Sequence, residues 1–241
     1  MKRMVKIFKG HKALCFLDFE GTQFSHEMIA YGAQLVIIDK NGKIVKTKSP
    51  IKRLVKAKNS IGRFVENLTG LKRVDLDRFG VSFSTAVKDL KKYCGLYFKK
   101  CSFVTFGTHD MRIFNQSISY NLDSPKPICD VIKSNFVDFQ AILSEFVKDE
   151  KGNVMSLEHY LEAFGLSFEG KPHDPQYDAS NLARLYDAFM TKKDIIYQEF
   201  KKNLKRMNFH PGPIDKVIKK LLNDESVSPK DFEEYIKEYI D

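Results

Sequence analysis

The sequence predicts an α/β fold. The expected core is a mixed five-stranded sheet, a three-stranded antiparallel meander plus two parallel strands, flanked by helices and followed by a C-terminal helical appendage. Three observations carry this. Strand-like apolar runs cluster around a tight turn within the first 51 residues. Later apolar strands alternate with helix-period segments. Past about Met190 the pattern changes to charged amphipathic helices.

Each element follows from its own residues. "ALCFLDFE" (13–20) is an apolar run ending in acids, the pattern of a buried strand with polar work at its end. "EMIAYGAQLVIID" (27–39) reads as a helical or irregular lead-in and a second strand. "KNG" (40–42) is a hairpin turn, and "KIVKTKSPI" returns as the third strand. "NSIGRFVENLTGL" and "SFSTAVKDLKKYCG" read as two helices, each with serine near its start and glycine at its end. "CSFVTFG" is a buried strand, "HDMRIFNQSISYNL" a helix, "NFVDF" a short strand and "QAILSEFV" a helix. "SLEHYLEAFGL" is a helix entered through Ser156. From Tyr177 onward the stripe Leu182, Leu185, Phe189 marks a long helix. "TKKDIIYQEFKKNLKRM" is a basic helix and "NFHPGP" breaks it. "SPKDFEEYIKEYID" restarts with Ser228 as N-cap and Pro229 at the first helical position; Phe232, Tyr235, Ile236 and Tyr239 form its apolar face. The expected division is 1–190 and 191–241, the latter packed on the domain or offered to a protein partner.

Composition narrows the function classes. No apolar run reaches the ~18–20 residues of a membrane span. The basic N-terminus lacks a continuous apolar segment and a small-residue cleavage site, so no signal peptide is expected. Cys15, Cys94, Cys101 and Cys129 show no CxxC spacing, which points to buried reduced thiols in a cytoplasmic protein. Lysine and arginine exceed acids by 40 to 31, which favours a polyanionic partner. The basic residues form two expected runs, Lys46–Arg63 and the C-terminal tail.

Four acids break the hydrophobic pattern. Asp18 and Glu20 are two apart on a strand, so they share the face of Leu14 and Phe16 at its carboxyl end. Asp110 opens a helix whose inner stripe continues through Phe114 and Ile118. Asp178 lies one turn before Leu182 on the core-facing stripe of the long helix. A lone acid in a first helical turn is well explained by the helix dipole. Four acids converging would repel one another and lose hydration, a cost that two hard divalent cations, Mg²⁺ or Mn²⁺, offset. Two such ions suit in-line displacement at phosphorus. His173 lies five residues before Asp178 and shares no helix face with it, so it belongs to the lead-in, with Asp174 as cap and Pro175 at the first helical position. There it is placed as general base for an attacking water. His109 is expected to face away from the stripe by helix phase, and His26 carries no assignment.

Together these residues resemble the DEDDh family of 3′→5′ exonucleases, which have an RNase H-like fold. "DFEGT" (18–22) resembles the first family motif, "TFGTHDMRIF" the second with Asp110 as its acid, and "HDPQYDASNLA" the third, with His173 five before Asp178. "IGRFVENLTGL" is similar to the segment these enzymes carry between the first two motifs. The resemblance spans roughly 12–190 and looks most like the ERI-1-like and KapD-like branch that trims structured or short RNAs. It implies Asp18, Glu20, Asp110 and Asp178 as ligands of two Mg²⁺ or Mn²⁺, and His173 as base. It also implies Gly21 and Thr22 as contacts of the 3′-terminal nucleotide, with Phe106, where that branch often has tryptophan, in its pocket. The expected activity is release of nucleoside 5′-monophosphates from the 3′ end of single-stranded or overhanging nucleic acid, RNA ahead of DNA. A DNA-directed proofreading or repair enzyme and a catalytically silent nucleic-acid-binding module are the alternatives.

Overall fold

The computed structural model describes residues 7–8, 10–206 and 212–240. It contains one mixed sheet of six strands: β1 (Ala13–Gly21), β2 (Met28–Ile38), β3 (Ile44–Thr47), β4 (Ile51–Leu54), β5 (Cys101–Thr105) and β6 (Phe136–Asp138). The order is β3-β2-β1-β5-β6, with β4 also paired to β2. β1, β2 and β3 form the antiparallel meander, and β5 and β6 add in parallel. β1 is buried on both faces through Leu17, which is why its sequence is a continuous apolar run.

The sixth strand corrects the expected five. The segment expected as one third strand is two, both antiparallel to β2. Thr47 pairs with Val36 and Ile51 with Ala33, so one extra residue is inserted between them. Pro50 sits in that gap and has no N–H to give the ladder. A second correction concerns residues 27–39. Strand pairing runs from Met28 onward, with no helical lead-in: Met28–Ala33 are all buried, with β1 on one side and β4 on the other.

Helices cover both faces. Helix α1 (Arg63–Thr69) ends on the left-handed Gly70, α2 (Arg73–Phe79) follows, and α3 (Phe83–Cys94) is capped by Ser82 Oγ. A 3₁₀ turn (Gly95–Lys100) leads into β5. α4 (His109–Tyr120) and α5 (Lys126–Ser134) precede β6; α6 (Phe139–Ser144) and α7 (Leu157–Ala163) follow it. α8 (Pro175–Thr191) is the long helix, capped by Asp174 with Pro175 at its first position. The odd residues of β1, Cys15, Leu17 and Phe19, pack into a core with α3 and α4, where Phe19 stacks on Phe114 at 5.8 Å. The even face meets α8, where Phe16 lies 5.5 Å from Tyr186. The four cysteines are free and buried. Helices α2 and α5 have no counterpart in the sequence reading; both are short, and their apolar positions read as loop.

The chain divides into two compact units. The first holds residues up to Ile142 with Ser156–Lys192, and the second holds Leu143–Met155 with the chain from Lys193 onward. In the second unit α9 (Lys193–Arg206), α10 (Pro213–Leu222) and α11 (Pro229–Ile240) are joined by local contacts. Asn203 Nδ2 donates to Phe146 O at 2.6 Å, Phe146 packs on Phe200, and Lys201 pairs with Asp224. Ser228 caps α11 through the Asp231 N–H, as its sequence anticipates. Residues 208–211 of the expected break lie outside the described residues, and α10 was not anticipated beyond it.

Charge separates with the units. The second unit carries 12 basic and 13 acidic residues, leaving 28 of the 40 basic and 18 of the 31 acidic residues in the first. The C-terminal tail is therefore charge-balanced, against the basic run expected there. No helix among the described residues is long and apolar enough to cross a membrane.

Candidate active site

The carboxyl end of β1 opens into a cleft of about 450 Å³. Asp18 and Glu20 line it from the strand, Asp110 from the start of α4, Asp178 from the first turn of α8, and His173 from the residues before that turn. Gly21, Thr22 and Phe106 line it as well. Every residue singled out from the sequence thus reaches one cavity.

Backbone contact brings α8 to this end of the sheet. Asp18, Gly32 and Lys52 stand side by side on β1, β2 and β4. The first residue of α8 lies directly over Gly32: a Cβ there would fall 1.8 Å from the Pro175 carbonyl oxygen. Only a residue without a side chain lets the helix start so close to Asp18. Lys52 Nζ then binds the capping residue Asp174 at 2.7 Å, fixing the lead-in from the third strand lane. His173 adopts φ +61°, a left-handed conformation uncommon for histidine. Its imidazole, Glu20 and Asp178 each offer a ligand atom within 4.8 Å of the others.

Asp110 is buried, and the Phe19 N–H donates to its Oδ1 at 2.7 Å. That bond ties the start of α4 to the strand end between Asp18 and Glu20. Gly107, at φ +98°, makes the bend before α4, and its N–H donates to Asp138 Oδ1 at 3.1 Å. Phe106 packs edge-on against the buried Tyr160, which sets its ring at the cleft wall.

The electrostatics are those of acids lacking a counter-charge. Burial pushes Asp18 well above the usual carboxylate range, and the charges of Asp110, Asp178 and Glu20 push the same way. Burial, then Asp178 and Asp110, raise Glu20 to about 8, with Lys52 opposing. Burial raises Asp110 to about 7 against the Phe19 N–H, and Asp178 to about 7 against the His173 N–H. Four carboxylates in this state form an all-oxygen donor set that fits hard divalent cations.

Other residues line the cleft without having been singled out. Phe64, Val65 and Leu68 of α1 form an apolar wall, and Phe64 is 63% exposed. An aromatic off the buried stripe of α1, which runs through Val65 and Thr69, was the available signal. His109 lines the rim beside His26, their rings 5.3 Å apart, instead of facing away. Its position at the start of α4 lets the side chain reach forward past the helix end. Thr22 is 1% exposed: its Oγ1 accepts the Glu27 N–H and bonds Ser25 Oγ, so the hydroxyl is spent inside the loop. Glu27, also buried, accepts from Lys58 N, Asn59 N and Asn59 Nδ2, tying the β1–β2 loop to the segment before α1.

No protein-family model matches the sequence, and no curated protein matches it. Solved structures share the fold. The chain is similar to the nuclease domain of 3′hExo, a DEDDh family member solved with rAMP, at TM-score 0.60 and 21% identity over 77% of this chain and 94% of that one. It is similar to cell-death related nuclease 4 at TM-score 0.59 and 19% identity, over 76% and 64% of the two chains. It is also similar to E. coli Exonuclease I bound to a dT13 oligonucleotide, at TM-score 0.58 and 14% identity over 83% and 47%. The chain shares the fold of these nucleases.

Proposed function

We propose that the chain is a divalent-metal-dependent 3′→5′ exonuclease that removes nucleoside 5′-monophosphates from single-stranded or overhanging nucleic acid. The observation that carries this is the convergence of four under-compensated carboxylates and a histidine, from three distant segments, on one cleft. Asp18, Glu20, Asp110 and Asp178 are assigned to hold two Mg²⁺ or Mn²⁺. When bound, the ions supply neutralising charge and Lewis acidity at the scissile phosphate. His173 takes a proton from the water whose oxygen attacks phosphorus; the bond from phosphorus to the penultimate O3′ breaks, and the leaving O3′ takes a proton from solvent, giving a shortened strand with a free 3′-hydroxyl. Gly21 and Thr22 are assigned to the 3′-terminal nucleotide as the floor of its pocket, since the Thr22 hydroxyl, N–H and carbonyl are all engaged inside the loop. Phe106 and the Phe64–Leu68 wall are assigned to its base and sugar. The charge-balanced helical unit, with Tyr239 65% exposed, is assigned to protein contact and not to phosphate.

RNA is favoured as substrate by the likeness to a 3′-exonuclease whose structure concerns 3′-end specific recognition of a histone mRNA stem-loop. A DNA substrate is the second reading, favoured by the likeness to Exonuclease I with dT13. The test is digestion of 3′-labelled and 5′-labelled RNA and DNA strands with Mg²⁺ or Mn²⁺. Stepwise release of labelled monophosphate from the 3′ end is expected. Internal cleavage, or full activity in Asp18→Ala, would overturn the reading.

A further inference from the structure

The end of the sheet opposite the carboxylates carries a cluster of lysines that the nuclease site does not use. The 3₁₀ turn before β5 follows α3 after the break at Gly95, so Lys91 and Lys92 in the last turn of α3 and Lys99 and Lys100 at the end of the turn share this end of the sheet. Ala13 pairs in register with Cys101, which sets Lys12 beside Lys100, each just ahead of its strand, with backbones about 5 Å apart. Lys88 precedes Lys92 by one helical turn. All six are exposed, and among the described residues none forms an ion pair. Asp39, the acid where β2 ends beside Lys12, accepts the N–H groups of Asn41 and Lys43 in its own turn. Six like charges held this close favour a polyanion.

The shape narrows the class. Leu96, in the turn, is 102% exposed and stands clear of its neighbours, and the concavity beside Lys12 is lined by Lys40 and Asp39 as well as by apolar Phe8 and Ile38. One leucine and the partly exposed Tyr97 are too little apolar area for a membrane anchor. Repeated phosphates suit lysines spread over α3, the 3₁₀ turn and β1. We propose that this lysine pole binds the same nucleic-acid strand, upstream of the 3′ end that enters the cleft; the inference rests on the exonuclease reading above. Lys12, just before β1, and Glu20 are eight residues apart, about 26 Å at 3.3 Å per residue. A strand passing over the surface at 3.4 Å per stacked nucleotide needs at least ~8 nucleotides to reach. The pole therefore makes long strands the preferred substrate and leaves di- to tetranucleotides indifferent to it.

The experiment compares the full chain with the triple variant Lys91→Glu, Lys99→Glu, Lys100→Glu, and with the same sites as arginine. Readouts are kcat/KM on a trinucleotide and on a 20-mer, and fluorescence-anisotropy binding of a 20-mer in Ca²⁺ over a salt series. The expected result is a loss of at least 10-fold in 20-mer affinity and kcat/KM, with trinucleotide turnover unchanged and arginine restoring both. The slope of log affinity against log salt should flatten by about 2, from ~0.7 per lost phosphate contact. Unchanged 20-mer affinity overturns the proposal. So does an equal loss on the trinucleotide, which marks damage to the fold or cleft. Vesicles containing phosphatidylserine form a third arm: lysine-dependent sedimentation with unaltered 20-mer affinity assigns the pole to lipid and also overturns it. If the wild-type chain hydrolyses neither substrate, the exonuclease reading fails by itself, and the anisotropy arm still decides the pole.

Discussion

At the scale of single residues, the buried acids of the cleft cost stability. Asp18, Glu20, Asp110 and Asp178 all have folded pKa values above those of an unfolded chain, near 4. Between pH 4 and about 8 the native state therefore holds more protons than the unfolded one, and the linkage slope is negative: stability falls as pH rises. Metal-free protein should lose several °C of melting temperature from pH 5 to pH 8, and millimolar Mg²⁺ should restore it, as differential scanning fluorimetry in EDTA and in Mg²⁺ would measure. By the same reasoning Asp18→Asn should raise the metal-free melting temperature at pH 8 while abolishing turnover; a lower one would mean its burial is compensated by partners. His173 is exposed and outside the helix, so its loss should spare the fold. His173→Ala should cut kcat by ~10²–10⁴, the range for a general base, with metal affinity by calorimetry unchanged. A matching fall in metal affinity would make His173 a ligand instead.

At the scale of elements, geometry depends on a few backbone meetings. Gly32→Ala should force α8 away from the sheet, because the obstructing atoms are the Pro175 carbonyl and the Gln176 nitrogen, not a flexible side chain. We expect a loss of ~1–3 kcal/mol, as for overpacking, and a fall in kcat well beyond what that loss explains, because Asp178 and His173 ride on the displaced turn. Urea denaturation and single-turnover kinetics separate the two effects. Such contacts were hidden in the sequence. Gly32 stands within an apolar run that reads as strand whatever residue occupies it. The third motif was readable for the opposite reason: Asp174, Pro175 and the misplaced acid Asp178 are each a local signal of how a helix begins. Helix phase fixes where a side chain points inside a helix but not at its first residue, where His109 turns to the cleft rim. Pro50, a plain strand-breaker, marked the split of the third lane but was passed over inside a run otherwise rich in strand formers.

At the scale of the molecule, fold class and site were legible because each acid violated a periodic pattern, and a violation needs no tertiary knowledge to notice. The division into units was less so. Leu143–Met155 joins the C-terminal helices through contacts such as Asn203 to the Phe146 carbonyl, long-range pairings with no local signature. Charge is a whole-molecule property, and its excess sits on the unit with the cleft. Binding of a 20-mer should weaken steeply between 50 and 200 mM salt, by about 10-fold or more if several phosphates are neutralised. Affinity flat in salt would contradict a phosphate-led interface.

The close seat of α8 on Gly32 has a consequence for how this protein can vary. Because the helix is registered against the strand by main-chain atoms, the position of Asp178 relative to Asp18 does not depend on the bulk of neighbouring side chains. Substitutions among Leu182, Leu185 and Phe189 can erode stability while leaving the carboxylates in place. The hydrophobic interior can then drift in sequence while the main-chain contact at Gly32 still seats the first turn of α8 beside Asp18.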